Sequence, residues 1–208
     1  MDPNALHNTY STSELMRKKI SLVSSKIQNG KCLLDIGCGS GELLSKTYKN
    51  FKNCYGIDLN SDSIKFCAER FKNKKNISVF KLNALDLKKK FKESSFDYVT
   101  ALDVLEHLKK HESEIVINNI KFLLKEQGIF ILTAPNWYDK IKIKLQKTDF
   151  HEFSHSSYGW AKLIQKFDFQ IISIECVSFP IFKGNEFLRK RLHIFGMCPL
   201  IVARNIKG

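Results

Sequence analysis

The sequence predicts a doubly wound α/β fold. Three observations predict it: short apolar runs alternate with segments of helical periodicity, glycine and proline are sparse, and a glycine-rich turn joins the first run to the helix after it. The 208 residues suit one domain over 1–208, with a helical extension over 1–30. A chain of this size buries roughly 70% of its unfolded surface, so neither disulfides nor a structural metal is required. Hydrophobic content of 43% and aromatic content of 12% exclude wholesale disorder.

The elements follow in order. Ser11-x-x-Glu14 has the form of a capping box. Leu15, Met16, Ile20, Val23 and Ile27 recur at helical spacing, and Gly30 reads as the stop. Cys32 to Ile36 is an apolar run closed by glycines, the pattern of a buried parallel strand. A helix over Glu42 to Tyr48 precedes a second strand, Asn53 to Asp58. Ser61 reads as the cap of a helix carrying Ile64, Phe66, Cys67 and Phe71. Strands follow at Ile77 to Leu82 and Phe96 to Leu102, then a helix over Ser113 to Glu126 and a strand from Gly128 to Ala134. The last elements are a helix over Ser157 to Phe167 and strands at Phe169 to Cys176 and Pro199 to Arg204, which makes seven strands. Residues 136–156 and 178–198 interrupt the alternation and read as substrate-covering segments. On such sheets ligands bind beyond the carboxyl ends of the strands, beside the first strand.

Leu33 to Leu44 reads LLDIGCGSGELL. Gly37, Gly39 and Gly41 follow a strand and open a helix, where glycine permits a sharp turn and close backbone approach. The spacing is G-x-G-x-G, without the G-K-[ST] of a nucleotide P-loop and without the G-x-G-x-x-G of nicotinamide sites. Glu42 at the helix start disfavours a pyrophosphate there and favours an uncharged or cationic group. Asp58 ends the second strand at a spacing suited to an acid that binds ribose hydroxyls.

The ordered set of the glycine segment, the strand ending in Asp58, FDYVTALDVLEHL (Phe96 to Leu108) and GIFILTAPN (Gly128 to Asn136) resembles the class I S-adenosylmethionine-dependent methyltransferases, from about Leu33 to Phe169. The resemblance implies a mostly parallel seven-stranded sheet with a late antiparallel strand, and S-adenosylmethionine as cofactor. It implies that Gly37, Cys38, Gly39 and Gly41 line the cofactor, with Asp35 toward its methionine end. Asp58 would take both ribose hydroxyls and Leu59 would pack on the adenine. Asn83 and Ala84 would lie at the adenine edge, where the family often has Asp-Ala, with Asp86 just beyond. Backbone near Ala101 and Leu102 would hold the methionine moiety.

Methyl transfer is an in-line displacement, so the protein mainly aligns acceptor and methyl group. For a hydroxyl acceptor a base also removes a proton. The candidates are His107 with Glu106 beside it, and His151; His155 and Asp103 lie nearby in sequence. ALDVLEHL resembles the ubiquinone-type group of small-molecule O-methyltransferases. Trp137, Tyr138 and Trp160 are the aromatics able to wall a flat acceptor, although buried aromatics more often belong to the core. Asp103-x-x-Glu106-His107 with a later histidine also resembles the metal-binding segment of small-RNA 3′-end 2′-O-methyltransferases. Asp103 replaces that segment's first Glu and no basic RNA-binding domain is attached, so the reading is metal-free.

The formal charge is +13, from Lys+Arg 34 against Asp+Glu 21. The clusters are Arg17 to Lys19, Lys88 to Lys92, Lys140 to Lys147 and Lys183 to Arg191. The first two are expected away from the acceptor, and the last two fall in the covering segments, where they suit an anionic acceptor. The partner expected is a small-molecule acceptor, anionic acceptors included. RNA is the second reading, and a binding module that has lost catalysis is the third. The longest nearly apolar run, Ile194 to Ala203, is far short of the roughly 20 residues of a membrane span. The N-terminus lacks the pattern of a signal peptide, and the six cysteines, with no C-x-x-C pair, read as reduced thiols of a cytoplasmic protein.

Overall fold

A computed structural model describes residues 14–135, 155–177 and 198–206. Its helices are α1 (Glu14–Ser25), α2 (Glu42–Thr47), α3 (Ser61–Arg70), α4 (Leu87–Lys90), α5 (Lys110–Leu123) and α6 (Ser157–Gln165). Its strands are β1 (Gly30–Ile36), β2 (Phe51–Asp58), β3 (Ile77–Lys81), β4 (Phe96–Leu102), β5 (Leu124–Thr133), β6 (Phe169–Cys176) and β7 (Pro199–Asn205). They form one seven-stranded sheet in the order β3-β2-β1-β4-β5-β7-β6, parallel throughout except that β7 runs antiparallel to both neighbours. The expected doubly wound, mostly parallel sheet is therefore present.

Alternation along β1 divides the core. Leu33 joins Ile20 and Val23 of α1, Ile27 just beyond it, Leu43 and Leu44 of α2 and Cys67 of α3 on one face. Leu34 joins Leu87 of α4, Val116, Ile117 and Ile120 of α5 and Trp160 and Ile164 of α6 on the other. Strands buried on both faces must be apolar at successive positions, which is why β1 and β5 read as continuous runs. Trp160, a candidate wall for an acceptor, is fully buried within this second core.

Several boundaries differ from the sequence expectation. Gly30 does not stop α1; it opens β1, opposite Phe51. The helix ends at Ser25, and Lys26 and Ile27 continue it only as tighter turns onto Val23 and Ser24. Asn60, not Ser61, caps α3, its side-chain oxygen accepting from the N–H groups of Asp62 and Ser63. α5 starts at Lys110 because the Glu112 carboxylate accepts the Lys109 N–H. It gives way to β5 at Leu124, whose extended backbone pairs with Phe96. The short α4 was not expected. Ser11 lies outside the described residues, as do residues 136–154 and 178–197, which hold nearly all of the two covering segments with Trp137, Tyr138 and the clusters Lys140 to Lys147 and Lys183 to Arg191.

Candidate active site

The sheet order reverses beside β1, and the glycine loop lies at that point, beyond the carboxyl ends of β1, β2 and β4. Gly37 and Cys38 both donate to the Ile57 carbonyl, at 2.8 and 2.9 Å, and Gly41 donates to the Cys38 carbonyl at 2.8 Å. Gly37, Gly39 and Gly41 all have positive φ, 69°, 49° and 79°. A Cβ at Gly41 would stand 2.5 Å from the Phe71 ring and 2.7 Å from the Cys67 sulfur. A Cβ at Gly39 would meet nothing within 4 Å, so the loop has an open side. Gly41→Ala is therefore expected to destabilise the protein by about 2–4 kcal/mol through strain plus overpacking. Gly39→Ala should cost about 1 kcal/mol through backbone strain alone. Thermal unfolding of the two variants measures the difference.

The Asp58 carboxylate locks this loop. One oxygen accepts the Gly39 N–H at 2.9 Å and the other accepts the Asn60 N–H at 2.8 Å. A carboxylate has about four lone-pair sites, so each oxygen keeps capacity for a ligand hydroxyl. Leu59, next along, is 59% exposed, a large apolar side chain presented to solvent beside the crevice. The Asn83 side-chain oxygen accepts the Leu85 N–H at 2.9 Å, which fixes a 3-10 turn over Ala84–Asp86 and still leaves one lone pair. Asn119 of α5 donates to the Ala84 and Leu85 carbonyls, at 3.3 and 3.1 Å, and so anchors that turn from the core. Asp86 pairs with Lys89 at 2.7 Å.

Two expected cofactor residues point inward. Asp35 is buried and accepts from the Thr100 hydroxyl at 2.7 Å, and burial pushes its carboxyl up to about 7. The Cys38 side chain is buried beneath the loop, where a hydrogen bond with Cys67 and burial push its thiol up. Ala101 is fully buried and Leu102 half-buried, at the end of β4 between β1 and β5.

Beyond β4 the chain turns through Asp103, whose φ is +54°. The Asp103 N–H donates to the Thr133 carbonyl and the Thr133 hydroxyl donates to the Asp103 carboxylate at 3.0 Å. The same carboxylate forms an ion pair with Lys19 of α1 and receives the Cys198 thiol at 3.9 Å. Lys19 is only 5% exposed. Burial would lower its pKa, but Cys198, Asp103 and Glu106 outweigh it and hold the ammonium above its ordinary value. The Cys198 thiol is itself pushed up by burial, so near neutral pH the Asp103 carboxylate carries that effect.

Glu106 lies in the 3-10 turn Leu105–His107 and is 1% exposed. Its Oε2 has no hydrogen-bond partner among the described residues. Burial pushes its carboxyl up to about 8, with the Asp103 charge adding to the rise. The folded state then holds a proton that the unfolded chain releases near pH 4.5, so stability falls as pH rises from there through about 8. Glu106→Gln should flatten this fall, measured as urea unfolding at pH 5, 6.5 and 8. His107 is half-exposed, its Nε2 4.0 Å from Glu106 Oε1, beyond hydrogen-bond range.

The structure thus brings Glu106 and His107 together with Asp103, and adds Lys19, which the sequence placed in a surface cluster. Lys19 has a readable signal: it sits beside Ile20 and three residues past Met16, on the helix face that continues to Val23 and Ile27. His151 lies outside the described residues. His155 packs edge-on against Trp160, ring centroids 5.2 Å apart. Among the described residues no three His, Cys, Asp or Glu side chains converge as a metal site.

The crevice, its turn of three left-handed glycines and the acid ending β2 define a class I, Rossmann-like cofactor-binding protein. The family of methyltransferase domains matches residues 7–174, and the chain belongs to it. The chain is 35% identical over 119 residues to an uncharacterized protein of Methanocaldococcus jannaschii, a match covering 57% of this chain and 42% of the relative. It is 32% identical over 111 residues to the ubiquinone biosynthesis O-methyltransferase of Glaesserella parasuis, covering 51% and 46%. The curated relatives it matches first are aligned over about half their own length. The fold is that of an S-adenosylmethionine-dependent methyltransferase from Clostridium acetobutylicum, with a TM-score of 0.75 at 15% identity over 98% of this chain and 99% of that one.

Proposed function

We propose that the protein binds S-adenosylmethionine in the crevice and directs its methyl group to an oxygen of a small acceptor beyond β4. The single observation that carries this reading is the Gly39–Asp58 lock. It holds a glycine turn with an open side next to a carboxylate that retains free lone pairs. The exposed Leu59 supplies an apolar surface of the kind an adenine ring covers. Family membership supports the reaction class. The names of two relatives, ubiquinone biosynthesis O-methyltransferase and fatty-acid O-methyltransferase, support an oxygen acceptor.

When bound, the cofactor supplies an electrophilic methyl group on a sulfonium. The chain's own residues orient and accept a proton. Asp58 and the backbone of residues 37–41 position the ribose and the methionine side. Lys19 and Thr133 hold Asp103, which fixes the turn leading to Glu106 and His107. Buried Glu106 is protonated at neutral pH, so it does not serve as the base there. His107, half-exposed, is the group placed to accept the acceptor's proton.

The test is transfer from methyl-labelled S-adenosylmethionine to a phenol, a fatty acid and an RNA pool. Label on the phenol or the fatty acid, lowered at least tenfold in His107→Gln with cofactor affinity unchanged, is the expected result. Label in the RNA pool alone would replace the small acceptor by RNA, the second reading, which the lysine face described next favours. Cofactor binding without turnover of any of the three would leave a binding module.

A further inference from the structure

Residues 71–92 contain eight lysines and one aspartate, a net +7 out of the chain's +13. All eight lysines are exposed: Lys72, Lys74, Lys75, Lys81, Lys88, Lys89, Lys90 and Lys92. The fold places them along one edge of the sheet and to either side of it. Lys72 to Lys75 occupy the turn between α3 and β3. Lys81 ends β3, which is the edge strand of the sheet. Lys88 to Lys90 lie on α4, packed beside that edge, with the Lys90 ammonium 3.9 Å from the centre of the Phe80 ring of β3.

The arrangement is held from below. Asn76 donates to the Tyr48 and Phe51 carbonyls at 2.9 and 3.1 Å, which fixes the turn. Phe91 packs against Tyr55, Phe80 and Phe96, which fixes the end of α4. Few of the charges are neutralised. Lys72 pairs with Glu69 and Lys89 with Asp86. Lys74, Lys75, Lys81 and Lys92 have no carboxylate partner among the described residues.

We propose that this face, the β3 edge with its flanking turn and α4, is a docking surface for the phosphate backbone of single-stranded RNA. Charge complementarity argues for a polyanion: β3 spans about 17 Å, so the ammonium groups at its two ends are spaced across several phosphates of one strand. Among the described residues the large exposed apolar side chains are Leu59, Phe66, Ile115, Tyr158, Ile172 and Ile206, none of them in residues 71–92. A membrane-binding face would carry apolar groups to insert, so the surface favours RNA over a lipid bilayer. The aromatic rings here are already covered by protein or lysine, so bases have no stacking platform, and binding reads phosphates without regard to sequence. Lys81 is aligned with Asp58 in the sheet, so a strand on this face runs toward the carboxyl edge where the crevice lies.

The surface is independent of the methyl-transfer reading, because binding is measured without cofactor. The experiment is fluorescence anisotropy with a labelled mixed-sequence 20-nucleotide RNA over a range of salt. Three proteins are compared: the unaltered chain, the quadruple variant Lys74→Gln, Lys75→Gln, Lys81→Gln, Lys92→Gln, and an equal-charge control, Lys109→Gln, Lys110→Gln, Lys162→Gln, Lys166→Gln. The expected result is at least a tenfold loss of affinity in the first variant at low salt. The slope of log affinity against log salt should fall by about 0.7 for each phosphate contact removed, up to about 3, with little change in the control. Circular dichroism and thermal unfolding keep the comparison to folded proteins. Equal losses in both variants would overturn the proposal. So would absence of RNA binding by the unaltered chain. Lysine-dependent binding to phosphatidylserine vesicles without binding to RNA would overturn it in favour of a membrane.

Discussion

Asp58→Ala is expected to weaken S-adenosylmethionine binding by about 10²–10⁴-fold. Two hydrogen bonds from ribose hydroxyls to a carboxylate are each worth about 1.5–3 kcal/mol, and alanine removes both. It also removes the acceptor of the Gly39 and Asn60 N–H groups, so the glycine turn loses its lock at the same step. Asp58→Asn separates the two effects. Its amide oxygen can still accept one of those N–H groups, so the turn is partly held while a charge-assisted acceptor is lost. Calorimetric titration should order the affinities as unaltered protein, then Asn, then Ala. Unchanged affinity in Asp58→Ala would remove the cofactor from this crevice.

Lys19→Met should destabilise the protein by about 3 kcal/mol. Removing one partner of a buried ion pair leaves the other charge uncompensated. Asp103 keeps a quarter of its side-chain surface, which places the value toward the lower end of the range for buried pairs. For a chain of this size the melting temperature would fall by roughly 6–12 °C. Asp103→Asn should cost a similar amount, since it leaves the Lys19 ammonium buried and unpaired. The double variant Lys19→Met with Asp103→Asn should recover much of the loss. Asparagine tolerates the left-handed backbone at this position, and no charge is then stranded.

What the sequence revealed and what it hid follow from the range of the interactions. The strands β1, β2, β4 and β5 were readable because burial on both faces leaves runs of apolar residues. The glycine turn was readable because three closely spaced residues with positive φ strongly favour glycine. The cap of α3 was misplaced by one residue because Asn60 and Ser61 are both good caps, and only the backbone angles decide between them. Lys19 was hidden because its partner is 84 residues away and its neighbours Arg17 and Lys18 make it look like part of a solvated run. Of the lysines of 71–92 only Lys88 to Lys92 stood out in the sequence; the edge position of β3 and the four-residue helix, neither of which periodicity reveals, bring Lys72 to Lys75 and Lys81 around the same sheet edge. Asn119 was invisible as a support of the Ala84–Asp86 turn, since an asparagine inside an apolar helix gives no hint of which carbonyls it reaches.

The position of β7 bears on how the molecule is assembled in time. It lies between β5 and β6 although it is later in the chain than either, and its pairing with β5 joins residues such as Ile129 and Arg204, about 75 positions apart. A growing polypeptide can align β1 to β5 as soon as they emerge. β5 and β6 must then wait with bare hydrogen-bonding edges until residues 199–205 arrive between them. That interval is when the nascent chain is most open to pairing with other strands, and its length is set by the speed of synthesis as much as by the stability of the finished sheet.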